Sequence, residues 1–579
     1  MSFEDQKIIL KKVWNYILPY RSSVIAVLVL SVLIVAGSLY VPVLVGKVID
    51  ILLPGYIEMA VIKKHLIKIL VIVLVTAFLQ WLMNAMNNDV TYHIVRDIRR
   101  DAFNRLQSVP IAYLDENPAG DLVSRIMTDA DQLADGLLLG FTQFFTGVMT
   151  IVATLVIMIR LSFPIALVVV VITPLSLYVA SYIATHTYAL FSQQAKMRGA
   201  QTALINETLE NEKIVKAFGQ EKQIEKRFET MNRELEKISL KALFYSSLTN
   251  PCTRFVNSLV YAAVALFGGY AVVNGKMSVG LLAVFLSYST QYTKPFNEIS
   301  GVVTELQNAI ACAGRIFEVI EKEPEQTDPM QTQTPAALGV QGRVSCRDVN
   351  FSYVKDKKLI EHFNVEVMPG QNVAIVGPTG CGKTTVINLL MRFYDVDSGT
   401  ILVDEKDIRQ MPRSGLRRSY GMVLQDTWLR SGTIRDNICF GKPDATPEEV
   451  VAAAKAAYAD SFIRRLPKGY DTVIGEDGGL LSAGQKQLLC IARVMLSLPP
   501  MLILDEATSS IDTRTEMKIQ SAFTAMMVGR TTFIVAHRLS TIRNADLILV
   551  MKDGNIIEQG NHESLLAAGG FYASLYNAV

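Results

Sequence analysis

A glycine-rich loop in the middle of the chain, GPTGCGKTT, has the residue types and spacing of a phosphate-binding site. It fits GxxxxGK followed by Ser or Thr, comes after a predicted strand over residues 373–376, and opens a helical pattern that extends to about Phe393. Glycines let backbone N–H groups face an anion, and a helix start adds partial positive charge. The loop is therefore predicted to hold the phosphates of ATP, with Lys383 at the β- and γ-phosphates and Thr384 on Mg²⁺. The predicted contacts are Gly377, Pro378, Thr379, Gly380, Cys381, Gly382, Lys383, Thr384 and Thr385.

Two adjacent carboxylates at the end of another apolar run could supply the chemistry of hydrolysis. In MLILDEATSSID a strand is predicted over residues 501–504, and Asp505 and Glu506 follow it directly. Asp505 can hold Mg²⁺ through water, and Glu506 can polarise the attacking water beside bound Mg²⁺·ATP. Either acid alone is more often a solvated surface residue, but together with the loop they predict an ATPase.

The composition of the whole chain indicates what kind of protein carries these residues. Half of the 579 residues are hydrophobic and only 19% are charged, below the usual quarter of a soluble protein. The net charge of +2 provides no basic field for nucleic acid, so no nucleic-acid partner is expected. The six cysteines form no CxxC pair, which predicts reduced thiols and neither a disulfide framework nor a zinc site.

The hydrophobic excess is concentrated in six charge-free segments of the first half, each near or above the roughly 20 residues that span a membrane. They are residues 22–46, 69–88, 136–159, 161–185, 255–275 and 277–293. Lysine and arginine accumulate between the second and third segments and between the fourth and fifth, which places these loops and both termini in the cytoplasm. We therefore expect a multi-pass protein of the plasma membrane, in contact with membrane lipid.

A change of composition predicts the domain boundaries. Residues 321–340 are rich in Pro, Gln and Thr and have little periodicity, which is typical of a linker. The linker separates a transmembrane domain with long cytoplasmic helices (1–320) from a nucleotide-binding domain (341–579), where strand-like and helix-like stretches alternate.

The segment LSAGQ makes the comparison with a known family specific. With the loop and the carboxylates in the same order, the chain resembles an ATP-binding cassette (ABC) exporter of the half-transporter kind, whose signature is usually LSGGQ. The resemblance covers essentially the whole chain. It implies a helical bundle of six spans, and an α/β P-loop domain with an antiparallel β subdomain and a helical signature subdomain. It also implies a dimer, in which the signature of one subunit closes over ATP held by the other.

The resemblance assigns roles to further residues. Tyr353 resembles the aromatic residue that stacks on adenine, and Gln425 resembles the glutamine that meets Mg²⁺ and faces the membrane domain. Asp512 resembles the loop that crosses the dimer interface, and His537 resembles the histidine at the γ-phosphate. The catalytic set is then Glu506, His537 and Gln425, and the metal ligands are Thr384, Gln425 and Asp505. The signature contributes Ser482, Ala483, Gly484 and Gln485.

The signature departs from the family pattern at Ala483, where glycine is usual. In heterodimeric exporters one signature is often imperfect while that chain keeps its catalytic glutamate, and this chain keeps Glu506. The pattern fits a homodimer with two working sites, and it equally fits the intact half of a heterodimer with a paralogous chain, which we slightly favour.

The sequence indicates the transported molecule less specifically than it indicates the nucleotide site. The expected substrate is small and amphipathic or hydrophobic: a drug, a lipid or a peptide. Polar residues in or beside the spans could line a substrate cavity or bond helices together, Arg254 being the costliest to bury. The others are Gln80, Asn84, Asn87, Asn88, His93, Gln143, Asn250, Asn257 and Gln291. An ATP-gated channel or regulatory membrane protein is the alternative function; an importer is disfavoured because both domains share one chain.

Overall fold

The structure is a computed structural model that describes residues 3–52, 59–325, 339–354, 357–424, 427–475, 478–479, 481–505, 511–535 and 542–578. The chain divides into two units, here called unit 1 and unit 2. Unit 1 comprises residues 1–108 and 118–322, and unit 2 comprises residues 109–117 and 323–579. The predicted boundaries at 320 and 340 remain predictions, since residues 326–338 of the proposed linker lie outside the described residues.

All secondary-structure elements in the described part of unit 1 are helices. Its helices are α1 (Phe3–Ile17), α2 (Arg21–Leu52), α3 (Met59–Leu106), α5 (Ala119–Ile126), α6 (Thr128–Leu139), α7 (Phe145–Leu161), α8 (Phe163–Glu210), α9 (Glu212–Ala217), α10 (Glu221–Val273) and α11 (Val279–Ile320). The short helix α4 (Ile111–Glu116) lies between α3 and α5 in the chain but belongs to unit 2. A π-helical turn, Gly140–Phe144, joins α6 to α7. At 1.5 Å per residue, the longest of these helices exceed the roughly 30 Å of the hydrocarbon core by a wide margin.

Four helical stretches of the described chain are long and apolar enough to cross a membrane; they contain the first, second and third predicted spans, and the fifth as far as Val273. They are Glu4–Leu52, Met59–Leu106, Ala119–Leu161 and Glu221–Val273. The fourth predicted span begins in the shorter apolar stretch Phe163–Leu175 of α8. The sixth lies in α11, where Gln291 and Lys294 interrupt the apolar pattern. For these last two segments, spanning remains a prediction.

Helices α2 and α11 approach each other closely near their outer ends. Gly46 and Gly280 face each other with no room for a Cβ on either residue. Asp50 of α2 accepts hydrogen bonds from the Gly280 amide at 2.7 Å and from the Ser278 hydroxyl at 2.8 Å, which joins it to the start of α11. Farther along, the buried Tyr288 hydroxyl donates to the Leu39 carbonyl at 2.7 Å. Small residues and hydrogen bonds therefore hold this helix pair together.

Unit 2 alternates strands and helices. Its strands are β1 (Val344–Phe351), β2 (Ile360–Val367), β3 (Asn372–Val376), β4 (Ser398–Val403), β5 (Lys406–Asp407), β6 (Tyr420–Val423), β7 (Gly432–Thr433), β8 (Val473–Ile474), β9 (Met501–Asp505), β10 (Thr531–Val535), β11 (Leu547–Lys552) and β12 (Asn555–Gly560). Its remaining helices are α12 (Lys383–Leu390), α13 (Arg413–Arg418), α14 (Ile434–Ile438), α15 (Pro447–Ala456), α16 (Asp460–Ile463), α17 (Ala483–Ser497), α18 (Thr513–Met527), α19 (His562–Ala568) and α20 (Phe571–Ala578).

Two principal sheets organise unit 2. The larger has the strand order β12-β11-β3-β10-β9-β6, parallel from β11 to β6 with β12 antiparallel at one edge. Its central strands are apolar and buried along most of their length, as expected for a parallel sheet covered on both faces. The smaller sheet, β2-β1-β4-β5, is antiparallel throughout. These sheets agree with the predicted α/β fold and its antiparallel subdomain.

The segment 109–117 groups with unit 2 although it lies between helices of unit 1 in the chain. It contains α4, and the Tyr394 hydroxyl donates a hydrogen bond to Asp115 at the end of this segment.

Candidate functional site

The glycine-rich loop connects the buried strand β3 to α12, as its sequence predicts. Gly382 forms the N-cap of α12 and has a φ of +98°. At this φ the backbone of a residue with a side chain would be strained, whereas glycine adopts it freely. Lys383 is 8% exposed, and its Nζ donates to the carbonyl oxygens of Gly377 at 2.7 Å and Pro378 at 3.0 Å. Thr384 is exposed at the first turn of the helix, whereas Thr385 is buried. The helix ends at Leu390, slightly before the predicted Phe393.

The sheet register brings the second chemical element to the same edge. Val535 of β10 lies between Ile375 of β3 and Asp505 of β9, so the loop and Asp505 both leave the carboxyl edge of the sheet. With strands about 4.8 Å apart, Asp505 lies about 10 Å to the side of β3. The Thr384 hydroxyl and the Asp505 carboxylate are hard oxygen donors of the kind Mg²⁺ prefers, so this donor set fits the ion.

Tyr353 lies beside the helix that follows the loop. Its ring is half exposed, and its hydroxyl accepts a hydrogen bond from the Asn388 side chain of α12 at 3.2 Å. The ring also makes edge-on contacts with Phe351 and Tyr394, each with centroids 4.9 Å apart. An aromatic face held this way near the phosphate loop is available to a flat base. The sequence does not predict that Asn388 and Tyr394 contact Tyr353, because no local motif marks either residue.

The signature begins α17 as predicted, with Ser482 as the N-cap. The Gln485 amide donates to the Ser482 hydroxyl oxygen at 3.3 Å, and the Gln485 side chain accepts from the Ser482 amide at 3.0 Å. This reciprocal capping box leaves the Ser482 hydroxyl proton available to another acceptor. Ser482 and Ala483 are both exposed, so the added methyl group of Ala483 is accommodated in the subunit itself.

The next signature residue is constrained by packing. Gly484 is buried, and a Cβ there would lie 2.5 Å from Thr515 Cγ2 and 3.0 Å from Ile511 Cγ2. This contact brings the start of α17 against the start of α18, whose N-cap is Asp512. The Thr515 amide donates to Asp512 at 2.9 Å, and this bond lowers the pKa of the carboxyl group. The predicted residues Ser482 and Asp512 are therefore carried by two helices that pack together.

Comparisons with known proteins match both halves of this arrangement. The ABC transporter transmembrane region matches residues 24–296, and the ABC transporter family matches residues 360–509. The fatty acid ABC transporter ATP-binding/permease protein of Mycobacterium bovis is 40% identical over 91% of this chain and 83% of its own length. The chain belongs to the ABC exporters. It is a half-transporter with its membrane domain fused to a cytoplasmic nucleotide-binding domain, and it therefore requires a dimer partner.

Two further comparisons support this assignment. The ATP-dependent lipid A-core flippase of Syntrophus aciditrophicus is 35% identical over 91% of this ABC exporter and 87% of the flippase. The solved structure of a bacterial Atm1-family ABC exporter with ATP bound has a TM-score of 0.79 and 30% identity, covering 96% of this chain and 98% of that one. The chain is thus a multi-pass membrane ATPase that couples ATP hydrolysis to transport, as its sequence predicts.

Three predicted catalytic residues of the exporter, Glu506, His537 and Gln425, lie outside the described residues. The elements that lead to them are described. Asp505 ends β9 immediately before Glu506, β10 ends two residues before His537, and β6 ends two residues before Gln425. Their catalytic roles remain predictions.

The polar residues of the spans differ in their surroundings. Gln80, Asn84, Gln143 and Gln291 line one cavity of unit 1, although they come from distant parts of the sequence. Arg254 is exposed on α10 and does not line this cavity. Asn87 instead bonds helices together, since its side chain donates to the Leu138 carbonyl at 3.3 Å.

Proposed function

We propose that this exporter hydrolyses Mg²⁺·ATP at composite sites between paired nucleotide-binding domains, and that it exports an amphipathic or hydrophobic drug, lipid or peptide by alternating access. The proposal rests chiefly on the exposed start of α17. Ser482 satisfies the helix end through its oxygen while its proton remains available, and the helix dipole attracts an anion. A phosphate of ATP held on a partner's loop is the acceptor that the family resemblance supplies.

Each group at the phosphate loop has a role in this proposal. Lys383 would exchange its bonds to the Gly377 and Pro378 carbonyls for phosphate oxygens, so ATP would replace contacts that now close the loop. Thr384 and Asp505 would hold Mg²⁺ together with Gln425, and the ion would neutralise phosphate charge. Glu506 would orient and deprotonate the attacking water, with His537 at the γ-phosphate.

The substrate class is supported by the named relatives, one a fatty acid transporter and the other a lipid A-core flippase. Both names describe transporters, which favours a transport function over the channel alternative. For the partner, Ala483 and the intact Glu506 favour a paralogous chain, which would make this the catalytically competent half of a heterodimer. Mass analysis of the complex purified in detergent tests this, because a homodimer would show a single polypeptide mass.

Substitution Glu506→Gln tests the chemistry. We expect ATP binding and dimers to persist while turnover falls by a factor on the order of a hundred or more, the scale of losing a general base. Adjacent Asp505 should be left intact so that Mg²⁺ binding is not changed in the same variant. Full turnover by Glu506→Gln would place the general base elsewhere.

A further inference from the structure

Three helices and the π-helical turn of unit 1 line an open cavity of about 770 Å³, which we call the polar cavity. Amide and hydroxyl side chains dominate its wall, and a lysine and a glutamate stand at one side. The lining residues are Gln80 and Asn84 of α3, Thr142 and Gln143 of the π-helical turn, Thr146, Gly147 and Thr150 of α7, and Gln291, Lys294, Pro295 and Glu298 of α11. No single helix presents this chemistry, so the cavity is a product of helix packing.

The predicted sixth span places the polar cavity at the level of the inner half of the bilayer. Counted from Val279 at the outer end of α11, Lys294 lies about 22 Å along the helix, against a hydrocarbon thickness of about 30 Å. Polar side chains at this depth are costly and need a compensating partner. Their clustering at one cavity therefore indicates a ligand with a polar end.

Much of the hydrogen-bonding capacity of the wall is not used by the residues that the structure describes. The Gln80 side chain donates to Asn84 at 3.2 Å, but Gln143 and Gln291 make no side-chain hydrogen bond with the described residues. The Thr150 hydroxyl donates to the Thr146 carbonyl of its own helix at 2.8 Å, which leaves its oxygen as an acceptor. The wall thus offers both donors and acceptors to a bound group.

The charges in the wall are balanced. Lys294 and Glu298 are separated by one helical turn, and their charged atoms are 3.6 Å apart. In the chain by itself their side chains are 74% and 46% exposed, so either partner has room to turn toward a ligand. They are the only charged side chains among the residues that line the described cavity.

An apolar cleft of about 300 Å³ lies farther toward the outer ends of α7 and α11. Ala153, Ile157 and Tyr288 line it together with α2, one or two turns beyond the residues of the polar cavity. A molecule with a polar end and a hydrocarbon chain would find a complementary surface for each part along the same two helices.

We propose that the polar cavity binds the zwitterionic headgroup of an amphiphile, with Lys294 at its negative group, Glu298 at its positive group and the amides around both. The assignment rests on the proposed export function and specifies the substrate class. A purely anionic headgroup would meet Lys294 but would also meet the Glu298 carboxylate, whereas a zwitterion pairs both charges. A purely cationic headgroup would pair with Glu298 but would be repelled by the Lys294 ammonium group.

The test measures the affinity of the full chain with its partner, in detergent and without ATP, for lipids of equal chain length. The probes are phosphatidylethanolamine, phosphatidylglycerol and a double-chain alkylammonium lipid, each with brominated chains that quench tryptophan. Trp81 follows Gln80 on α3 and is 64% exposed, so lipids at the protein surface also quench it, and the comparison with the variants isolates binding at the cavity. We expect the zwitterion to bind most tightly, and Glu298→Gln to reduce its preference over the anion by about three- to tenfold.

Lys294→Met should change selectivity in the other direction, reducing the preference for the zwitterion over the cation by a similar factor. The matched control is Glu229→Gln, because Glu229 forms an exposed pair with Arg233 at the same i,i+4 spacing on α10, away from the cavity. Equal selectivity in Glu298→Gln and Glu229→Gln overturns the headgroup assignment. A wild-type complex that binds these lipids without turning over ATP would instead overturn the proposed function.

Discussion

The hydrogen bond between Tyr394 and Asp115 offers a direct test of how the nucleotide site communicates with the rest of the exporter. Tyr394 contacts the proposed adenine-stacking residue Tyr353 edge-on, and its hydroxyl donates to Asp115. Asp115 belongs to segment 109–117, which is covalently continuous with α3 and α5 through its two ends. Substitution Tyr394→Phe removes the hydroxyl group and keeps both ring contacts.

The magnitude follows from the type of bond and its surroundings. A hydrogen bond to a charged acceptor contributes about 1.5–3 kcal/mol. Tyr394 is partly exposed, so solvent screening reduces this to about 1 kcal/mol, or roughly fivefold in an equilibrium constant. Burial and the nearby Asp115 carboxylate raise the pKa of Tyr394. The folded state thus keeps the hydroxyl protonated above its ordinary pKa, and the bond should persist from pH 7 through 10.

The assay compares substrate-stimulated ATPase activity with nucleotide affinity. We expect Tyr394→Phe to reduce the stimulation of ATPase activity by substrate about fivefold, and we expect this reduction to be the same at every pH between 7 and 9. The affinity for ATP should change less than twofold, because the ring of Tyr353 and its Asn388 hydrogen bond remain. Asp115→Ala removes the acceptor and should give a similar loss, and the double variant should lose no more than either single variant.

The matched control is Tyr470→Phe. The Tyr470 hydroxyl donates to Asp460 at 2.7 Å, so this change removes the same kind of bond elsewhere in unit 2. The reasoning is refuted if Tyr394→Phe and Tyr470→Phe reduce substrate stimulation equally, or if the losses from Tyr394→Phe and Asp115→Ala add in the double variant.

Two further predictions concern the stability of unit 1. Arg315 donates two hydrogen bonds, of 2.7 and 2.6 Å, to the buried Asp129. Arg315→Met should therefore lower the free energy of unfolding by about 2–3 kcal/mol, whereas Arg233→Met, at an exposed ion pair, should lower it by less than about 0.5 kcal/mol. Both values are measured by unfolding in detergent, followed by circular dichroism. Because these bonds raise the pKa of Arg315, the loss should not vary from pH 7 to 10; a loss no larger than the control's would contradict the assignment. Gly280→Ala would place a Cβ 2.0 Å from the Gly46 carbonyl oxygen and should cost about 1–3 kcal/mol, measured by thermal unfolding, whereas Gly269→Ala meets nothing within 4 Å and should not destabilise α10.

Local motifs accounted for much of the nucleotide site. The phosphate loop, the Asp505 strand end and the capped start of the signature helix each depend on a few consecutive residues, and each has the predicted conformation. Capping and loop geometry are short-range, because backbone groups are satisfied by neighbours three or four positions away. Charge-free segments likewise indicated membrane helices, although the polar residues of α11 weaken that pattern in the sixth.

The sequence by itself therefore determined the family, the two kinds of domain and the local shape of the nucleotide loop, since these depend on composition and consecutive residues. Only the tertiary structure decided that Gln80, Asn84, Gln143 and Gln291 share a cavity while Arg254 does not, and that Tyr394 meets Asp115. Such contacts join residues far apart in the chain. They depend on how helices rotate and pack against one another, which periodicity along one segment does not specify.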